Sequence, residues 1–121
     1  MKMNMKEWVA ETIRAEKKKA APILSFPGIQ ITGHTVDEMV RDGHLQALCM
    51  EAIAKRFPTG AAFSLMDLSV EAEAFGSPVS YSEDEVPTVT AALVHDEEEA
   101  AALKVPEVGA GRTGECVKGI K

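Results

Sequence analysis

The sequence predicts an α/β protein in which helices pack on a parallel sheet. Two apolar runs, "APILSF" at residues 21–26 and "AAFSLMDL" at residues 61–68, are typical of strands and lie between segments with helical periodicity. Strands that alternate with helices indicate βαβ units. The aromatic content of 5% favours an aliphatic core over an aromatic-rich β-sandwich. Because two strands make a poor sheet, the pattern indicates the opening part of a larger fold.

The start of the chain predicts a helical extension ahead of this α/β region. Residues 4–19 have the periodicity of an amphipathic helix, and Asn4 is of a type that caps helix N-termini. One face carries the apolar side chains of Trp8, Val9 and Ile13. We therefore expect one partial domain over residues 1–121, with the extension at 1–20 and the first βα units at 21–121.

The first apolar run is followed by a predicted loop and a predicted helix. Residues 27–35, "PGIQITGHT", contain two glycines and predict a loop. Thr35 and Glu38 have the spacing of a capping box, so we expect a helix to begin there. Gly43 is expected to divide that helix in two, and Pro58 to end it.

The second half of the chain predicts shorter elements. "SVEAEAFG" at residues 69–76 indicates a short helix, and "PVSYSEDEVPTVT" at residues 78–90 contains one or two short extended pieces. "HDEEEAAALKV" predicts a helix capped by Asp96, with glutamates in its first turn. A terminal helix is expected from about Thr113.

Charge and cysteine content argue against several classes of protein. The chain has 13 basic and 19 acidic residues, and the net charge of −6 opposes non-specific binding to nucleic acid. No apolar run approaches the length of a membrane helix. Cys49 and Cys116 form neither a metal motif nor a disulfide framework, which is typical of a reduced, cytoplasmic protein. Cys49 lies on an apolar helix face, where we expect a small core side chain.

Asp67 is the first candidate site residue, because it places a carboxylate at the end of an apolar run. One interpretation is a helix cap for the following turn, since Asp is a preferred cap. The other is a ligand contact, since parallel α/β folds bind ligands beyond the C-terminal ends of strands. Glu71 and Glu73 follow, but a spacing of two directs them to different faces of a helix. Either glutamate reaches a site only if the turn is irregular.

The remaining titratable residues carry weaker signals. His34 follows Gly33 in the predicted loop, where a ligand-facing role is open, whereas His44 and His95 are expected at the surface. No histidine pair has metal-ligand spacing. The segment "GAGRTG" follows no predicted strand, so it does not have the context of a dinucleotide-binding fingerprint. Arg112 within it is interpreted as an exposed residue or as a partner for a carboxylate.

A long stretch of the chain resembles a known family. Residues 48–89, "LCMEAIAKRFPTGAAFSLMDLSVEAEAFGSPVSYSEDEVPTV", are similar to the N-terminal region of the uroporphyrinogen decarboxylase superfamily. Within that superfamily the chain is most similar to the branch of methylcobamide:coenzyme M methyltransferases, and the unusual pattern D-x-x-V-E-A-E-A-x-G at residues 67–76 is one of the features that carry the resemblance. "VPEVGAGR" at residues 105–112 resembles the linker before the family's next helix. The resemblance covers roughly residues 20–121.

The resemblance implies the N-terminal part of a (β/α)8 TIM-type barrel with a leading helical extension. Such barrels typically have about 250 residues. It also implies that Asp67 matches the aspartate that hydrogen-bonds pyrrole N–H groups in the decarboxylases. Those enzymes carry substrate-binding arginines after the first strand, whereas "SFPGIQITGHT" at residues 25–35 contains none. This departure argues against uroporphyrinogen decarboxylation.

The methyltransferase branch implies two groups, a corrinoid methyl donor and a zinc ion that activates the acceptor thiol. Zinc suits that role because it favours thiolate ligands. The family's metal ligands lie in its C-terminal part, and no residue here matches them. We therefore expect substrate-binding roles for Asp67, His34, Glu71 and Glu73, and no catalytic or metal-ligating residue.

The predicted function is that of the N-terminal portion of a corrinoid-dependent methyltransferase that moves a methyl group from a methylcobamide to a thiol and is inactive alone. The alternatives are a non-catalytic α/β module that binds a ligand or partner, and a decarboxylase-like tetrapyrrole binder. Because a partial barrel exposes a strand edge, we expect a homo-oligomer or docking with the C-terminal barrel portion. A corrinoid protein is a further possible partner, whereas nucleic acid and membranes are not expected.

Overall fold

A computed structural model describes residues 3–120, which form helices and one small sheet. The helices are α1 (Met5–Arg14), α2 (Gly28–Thr32), α3 (Val36–Arg41), α4 (Gly43–Arg56), α5 (Val70–Ala74), α6 (Glu97–Ala102) and α7 (Thr113–Lys118). The strands are β1 (Val79–Ser80) and β2 (Thr88–Val89). The two strands pair antiparallel, with Val79 opposite Val89. None of the helices in this part of the chain is long and apolar enough to cross a membrane.

The first helix begins where the sequence predicts and ends early. The Asn4 side chain accepts hydrogen bonds from the backbone N–H groups of Lys6 and Glu7, which confirms the predicted cap. The helix ends at Arg14 rather than at residue 19, and the Lys18 ammonium group donates to two carbonyls that the last turn leaves free. The apolar face of α1 is not buried, and Ile13 remains 71% exposed. The extension therefore contributes little to the core.

The two predicted parallel strands are not strands among the residues that the structure describes. Residues 21–26 and 61–68 carry no ladder hydrogen bonds, and the sheet that does form lies later in the chain. One backbone hydrogen bond, from the Gly60 N–H to the Ala20 carbonyl, joins the segments at their beginnings. An apolar run becomes a strand only where a neighbouring backbone supplies the ladder. The prediction was wrong because an apolar sequence pattern does not specify which backbone will pair with it.

The predicted loop at residues 27–35 was also wrong, because most of it forms helix α2. Gly28 allows α2 to approach α4 closely: a Cβ atom at this position would lie 2.7 Å from the Cβ atom of Cys49. Gly33 has φ of 77° and ends the helix in the left-handed region. The glycines therefore serve helix packing and helix termination.

Helices α3 and α4 begin and end close to where the sequence predicts. The Thr35 side chain accepts from the backbone of Glu38, and the Glu38 side chain accepts from the backbone of Thr35, so the capping box is complete. Asp42 ends α3 and caps α4, which confirms the predicted division near Gly43. Helix α4 ends at Arg56, just before Pro58.

The core is formed mainly by α3 and α4. Cys49 is fully buried there, as predicted. The buried cluster consists of Val36, Met39, Val40, Cys49 and Leu65, and Phe26, Ile29 and Tyr81 pack against it. Leu65 anchors the apolar run 61–68 on these helices. The chain that continues from this run is thereby fixed at the edge of the core.

Helix α6 confirms the predicted cap, and helix α7 begins at Thr113 as predicted and brings the end of the chain back to the core. The Asp96 side chain accepts from the backbone N–H of Glu99 and caps α6. Helix α7 packs on α4, where the Gly43 N–H donates to Glu115 at 3.0 Å. A Cβ atom on Gly43 would lie 2.5 Å from the Glu115 carbonyl oxygen, so this contact requires glycine.

Candidate functional site

The Asp67 carboxylate lies in a tight turn before helix α5. Its Oδ1 atom accepts from the backbone N–H of Ser69 at 2.9 Å and from the Ser69 hydroxyl at 2.7 Å. Such turns are a common use of aspartate. The N-cap position of α5 is Ser69, so Asp67 shapes the entry to the helix without being its cap.

Arg112 is buried against this turn and contacts three side chains through three nitrogen atoms. Its Nη1 donates to Oδ2 of Asp67, its Nη2 donates to the Ser69 hydroxyl at 2.8 Å, and its Nε donates to Oε2 of Glu73 at 2.6 Å. The side chains of Asp67 and Arg112 are 1% and 7% exposed, and that of Glu73 is 27% exposed. A planar guanidinium is well suited to such simultaneous contacts.

Two glycines direct Arg112 into the site. Gly109 has φ of 85° and Gly111 has φ of 54°, and both angles lie in the left-handed region that favours glycine. The chain turns here immediately before α7. The segment "GAGR" thus forms a turn that places Arg112 beside Asp67.

Tyr81 closes the cluster on the side of Glu73. Its hydroxyl donates to Oε1 of Glu73, and its ring centroid lies 5.1 Å from the Arg112 guanidinium carbon. The guanidinium carbon of Arg41 lies 3.8 Å from the same centroid. Two cations thus lie within the range of cation–π attraction to one ring.

Burial and the carboxylates set the protonation of this cluster. Burial raises the pKa of Tyr81, and the hydrogen bond to Glu73 raises it further, so the phenol keeps its proton and remains a donor. Burial by itself disfavours a charged guanidinium, but the hydrogen bonds to Asp67 and Glu73 outweigh it and raise the pKa of Arg112. The cluster therefore contains a permanent cation beside two carboxyl groups.

An open cavity of about 350 Å³ lies beside Asp67. Its walls come from the segments 23–27, 66–68 and 86–87, and most of its lining side chains are apolar. Ser25 and Asp67 are the polar and charged members of the lining. An apolar cavity with few polar groups is typical of small-molecule sites.

The structure joins two of the four predicted site residues. Asp67 and Glu73 meet through Arg112. Glu71 is exposed and takes no part in these hydrogen bonds. His34 lies beside Glu38 instead, with 3.3 Å between Nδ1 and the Glu38 carboxylate. Glu71 and His34 thus lie outside the cluster.

The sequence had identified Arg112 only as a residue that could bind a carboxylate. Its partners lie 45 and 39 residues away along the chain, so no spacing rule connects them. Ser69 and Tyr81 were missed as well. The one available signal was an arginine directly after a glycine-rich turn.

The donor set of the described residues does not fit a zinc ion. Within residues 3–120, no three His, Cys, Asp or Glu side chains are arranged to hold a metal. Both cysteines are free, and Cys49 is fully buried in the core. No step through zinc is therefore assigned to these residues.

The cluster and the cavity together define a candidate ligand-binding site on a mainly helical chain. The family model described as uroporphyrinogen decarboxylase (URO-D) matches residues 10–121. The chain therefore belongs to the uroporphyrinogen decarboxylase family. No curated protein and no solved structure gives a significant match.

Family membership implies the TIM-barrel fold for the protein as a class. Within residues 3–120 the structure shows seven helices and a two-stranded antiparallel sheet. The 121 residues are about half of the length that such a barrel typically has.

Proposed function

We propose that this chain is the N-terminal portion of a uroporphyrinogen decarboxylase-like methyltransferase that moves a methyl group from a methylcobamide to a thiol. The family match over residues 10–121 supports the general class. The motif at residues 67–76 carries the resemblance, and the lack of arginine in residues 25–35 favours the methyltransferase branch over decarboxylation. The observation that carries the proposal is the position of Asp67, a residue in the lining of an apolar cavity whose carboxylate is anchored by Arg112 and Ser69.

Asp67 retains capacity to bind a ligand. An ionised carboxylate has about four acceptor positions. The Ser69 backbone and hydroxyl occupy Oδ1, and Arg112 takes one position on Oδ2. One acceptor position on Oδ2 is left, but the side chain is 1% exposed, so a ligand N–H group reaches it only if the segment at residues 66–68 moves. The peripheral amides of a corrinoid supply such donors, as do the pyrrole N–H groups of a porphyrinogen.

The cavity fits part of a corrinoid. Its volume of about 350 Å³ is near the lower end of the range for ligand pockets, roughly 300–1,000 Å³. In this proposal the apolar walls receive one edge of the macrocycle and Asp67 accepts from a peripheral amide. A bound methylcobamide supplies the methyl group, and further protein surface completes the pocket.

Exposed apolar side chains support a partner for this surface. Phe63, Met66 and Leu68 are 41%, 53% and 86% exposed on one short segment. Exposed apolar surface of this kind is typical of interaction sites. We propose that a second copy of the chain or the C-terminal portion of the barrel covers this apolar surface. We also propose that the protein is cytoplasmic. A monodisperse monomer in light scattering of the 121-residue chain would contradict the second-copy form.

Absorbance titration tests the proposed ligand. We expect methylcobalamin to give a saturable spectral change with the chain, and Asp67→Asn to weaken it. Asp84→Asn is the matched control, because Asp84 is exposed, accepts from the Ser82 hydroxyl and does not belong to the cavity lining. A change with uroporphyrinogen but not with the corrinoid would favour a decarboxylase-like tetrapyrrole binder. No change with either would favour a non-catalytic module.

A further inference from the structure

A groove between helix α1 and the segment that follows it is a second cavity, separate from the one beside Asp67. Its volume is about 290 Å³. Helix α1 contributes Trp8 to the lining, and residues 17–21 contribute three consecutive lysines. Gly60 also lines the groove, where its N–H donates to the Ala20 carbonyl at 2.8 Å. We propose that this groove binds a nucleotide, a molecule that joins a flat ring to a phosphate chain, and this proposal is independent of the proposed methyl transfer.

The lysines give the groove a charge opposite to that of the whole chain. The chain has a net charge of −6, whereas the groove lining includes three lysines and the carboxylate of Glu11. Within residues 3–120, Lys17 and Lys19 form no ion pair with a carboxylate. Each ammonium group offers three hydrogen-bond donors, and lysine is a common phosphate ligand. The lining therefore favours an anion.

Lys18 removes an electrostatic obstacle to an anion at this end of α1. The last carbonyls of a helix carry partial negative charge and would repel a phosphate. The Lys18 ammonium donates to the carbonyl of Thr12 at 2.8 Å and to that of Ile13 at 2.6 Å. Because Lys18 is engaged in this way, the phosphate contacts fall to its neighbours Lys17 and Lys19.

Trp8 supplies a flat apolar surface in the same groove. Its side chain lines the cavity and is only partly buried. Nucleobases stack on such aromatic side chains. The carboxylate of Glu11, also in the lining, can accept hydrogen bonds from ligand hydroxyl groups. A ring, hydroxyl groups and phosphates in one molecule are the features of a nucleotide.

Intrinsic fluorescence tests this proposal, because Trp8 is the one tryptophan of the chain. We expect ADP to change the Trp8 emission saturably in the full chain, with excitation at a wavelength that adenine does not absorb. Pyrophosphate and adenosine represent the two parts of this ligand, and each should bind more weakly than ADP. Added salt should weaken the binding of ADP, since the lysines are exposed.

Two variants separate the contribution of the lysines from that of the ring. Lys17→Gln/Lys19→Gln should weaken ADP binding about tenfold or more, as for lost charged hydrogen bonds. Lys55→Gln/Lys104→Gln is the matched control, because it changes the net charge equally at exposed positions outside the groove lining. Trp8→Ala, measured by calorimetry, should weaken ADP binding about tenfold and leave pyrophosphate binding unchanged. Helix α1 contains no fully buried residue, so the core should stay intact, and circular dichroism verifies this.

Three results would overturn the proposal. The first is the absence of a fluorescence change with ADP. The second is an equal loss of affinity in the lysine variant and its control, which leaves the lysines as a solvated helix end. The third is unchanged ADP affinity in Trp8→Ala, which removes the ring contact. A blue shift with phosphatidylserine vesicles, without a response to ADP, would assign α1 to a lipid surface instead, since Val9 and Ile13 are exposed on this helix.

Discussion

The guanidinium of Arg112 donates to the carboxylate of Asp67 across 45 residues of sequence, and both side chains are almost completely buried. A buried ion pair contributes little net stability relative to an apolar pair, but the loss of one partner leaves an uncompensated charge. The same contact places the carboxylate beside an apolar cavity. The pair therefore links the stability of this part of the fold to the candidate site.

The first prediction concerns the stability of this pair. Arg112→Met leaves Asp67 without its cation, and we expect a loss of about 3–5 kcal/mol in the free energy of unfolding, measured by urea denaturation. Lys55→Met breaks the surface pair with Glu51, where both side chains are well exposed, and should cost less than about 1 kcal/mol. Equal losses of unfolding free energy in Arg112→Met and Lys55→Met would contradict the burial of the pair of Arg112 and Asp67.

The second prediction concerns the close approach of α2 to α4. Gly28→Ala places a methyl group 2.7 Å from the Cys49 Cβ and carbonyl oxygen atoms, so the helices must move apart. We expect a loss of about 1–3 kcal/mol by the same measurement. Gly60→Ala is the matched control, because its nearest neighbours lie at 3.4 Å, an ordinary contact distance. A Gly28→Ala protein as stable as the control would show that these helices do not pack this closely.

The third prediction concerns the stability of the fold at acidic pH. The Lys118 ammonium, and then the Gly43 N–H, lower the pKa of Glu115 below its ordinary value of 4.5. The unfolded chain binds this proton more readily, so Glu115 stabilises the fold fully above about pH 4.5. That stabilisation is lost as the pH falls through the lower pKa of the folded state. The difference in unfolding free energy between the wild type and Glu115→Gln should therefore shrink in acid, and a constant difference from pH 7 to pH 3 would refute this.

The fourth prediction concerns the two thiols. Burial, with a smaller effect of the Asp67 and Glu71 charges, raises the pKa of Cys116 above its ordinary value of 9.0. Because only the thiolate reacts, alkylation of Cys116 should have a midpoint above pH 9.0 in the native chain. Cys49 is fully buried and should react only after denaturation. Mass spectrometry after iodoacetamide treatment distinguishes the sites, and rapid labelling of native Cys49 would contradict the core assignment.

The helix caps were predictable because each depends on a few adjacent residues. Asn4, Asp96 and the pair of Thr35 and Glu38 all cap as their spacing indicates. Such side chains accept hydrogen bonds from backbone N–H groups only two or three residues away. A local pattern therefore contains all the information that a cap needs.

The two apolar runs show where this local information ends. Residues 21–26 and 61–68 have strand-like composition but lack ladder hydrogen bonds in the structure. Residues 27–35 have the glycine content of a loop, but residues 28–32 within them form a helix against α4. In both cases the outcome depends on which backbone lies alongside, and composition does not specify that.

The sequence by itself determined the helix caps, the buried position of Cys49 and the resemblance that the family match supports. It also singled out Asp67, since a charged residue at the end of an apolar run is unusual. Only the tertiary structure decided that Arg112, Ser69 and Tyr81 join Asp67 and Glu73 in one cluster. The reason is physical: caps arise from neighbours along the chain, whereas a buried ion pair forms between groups that folding brings together.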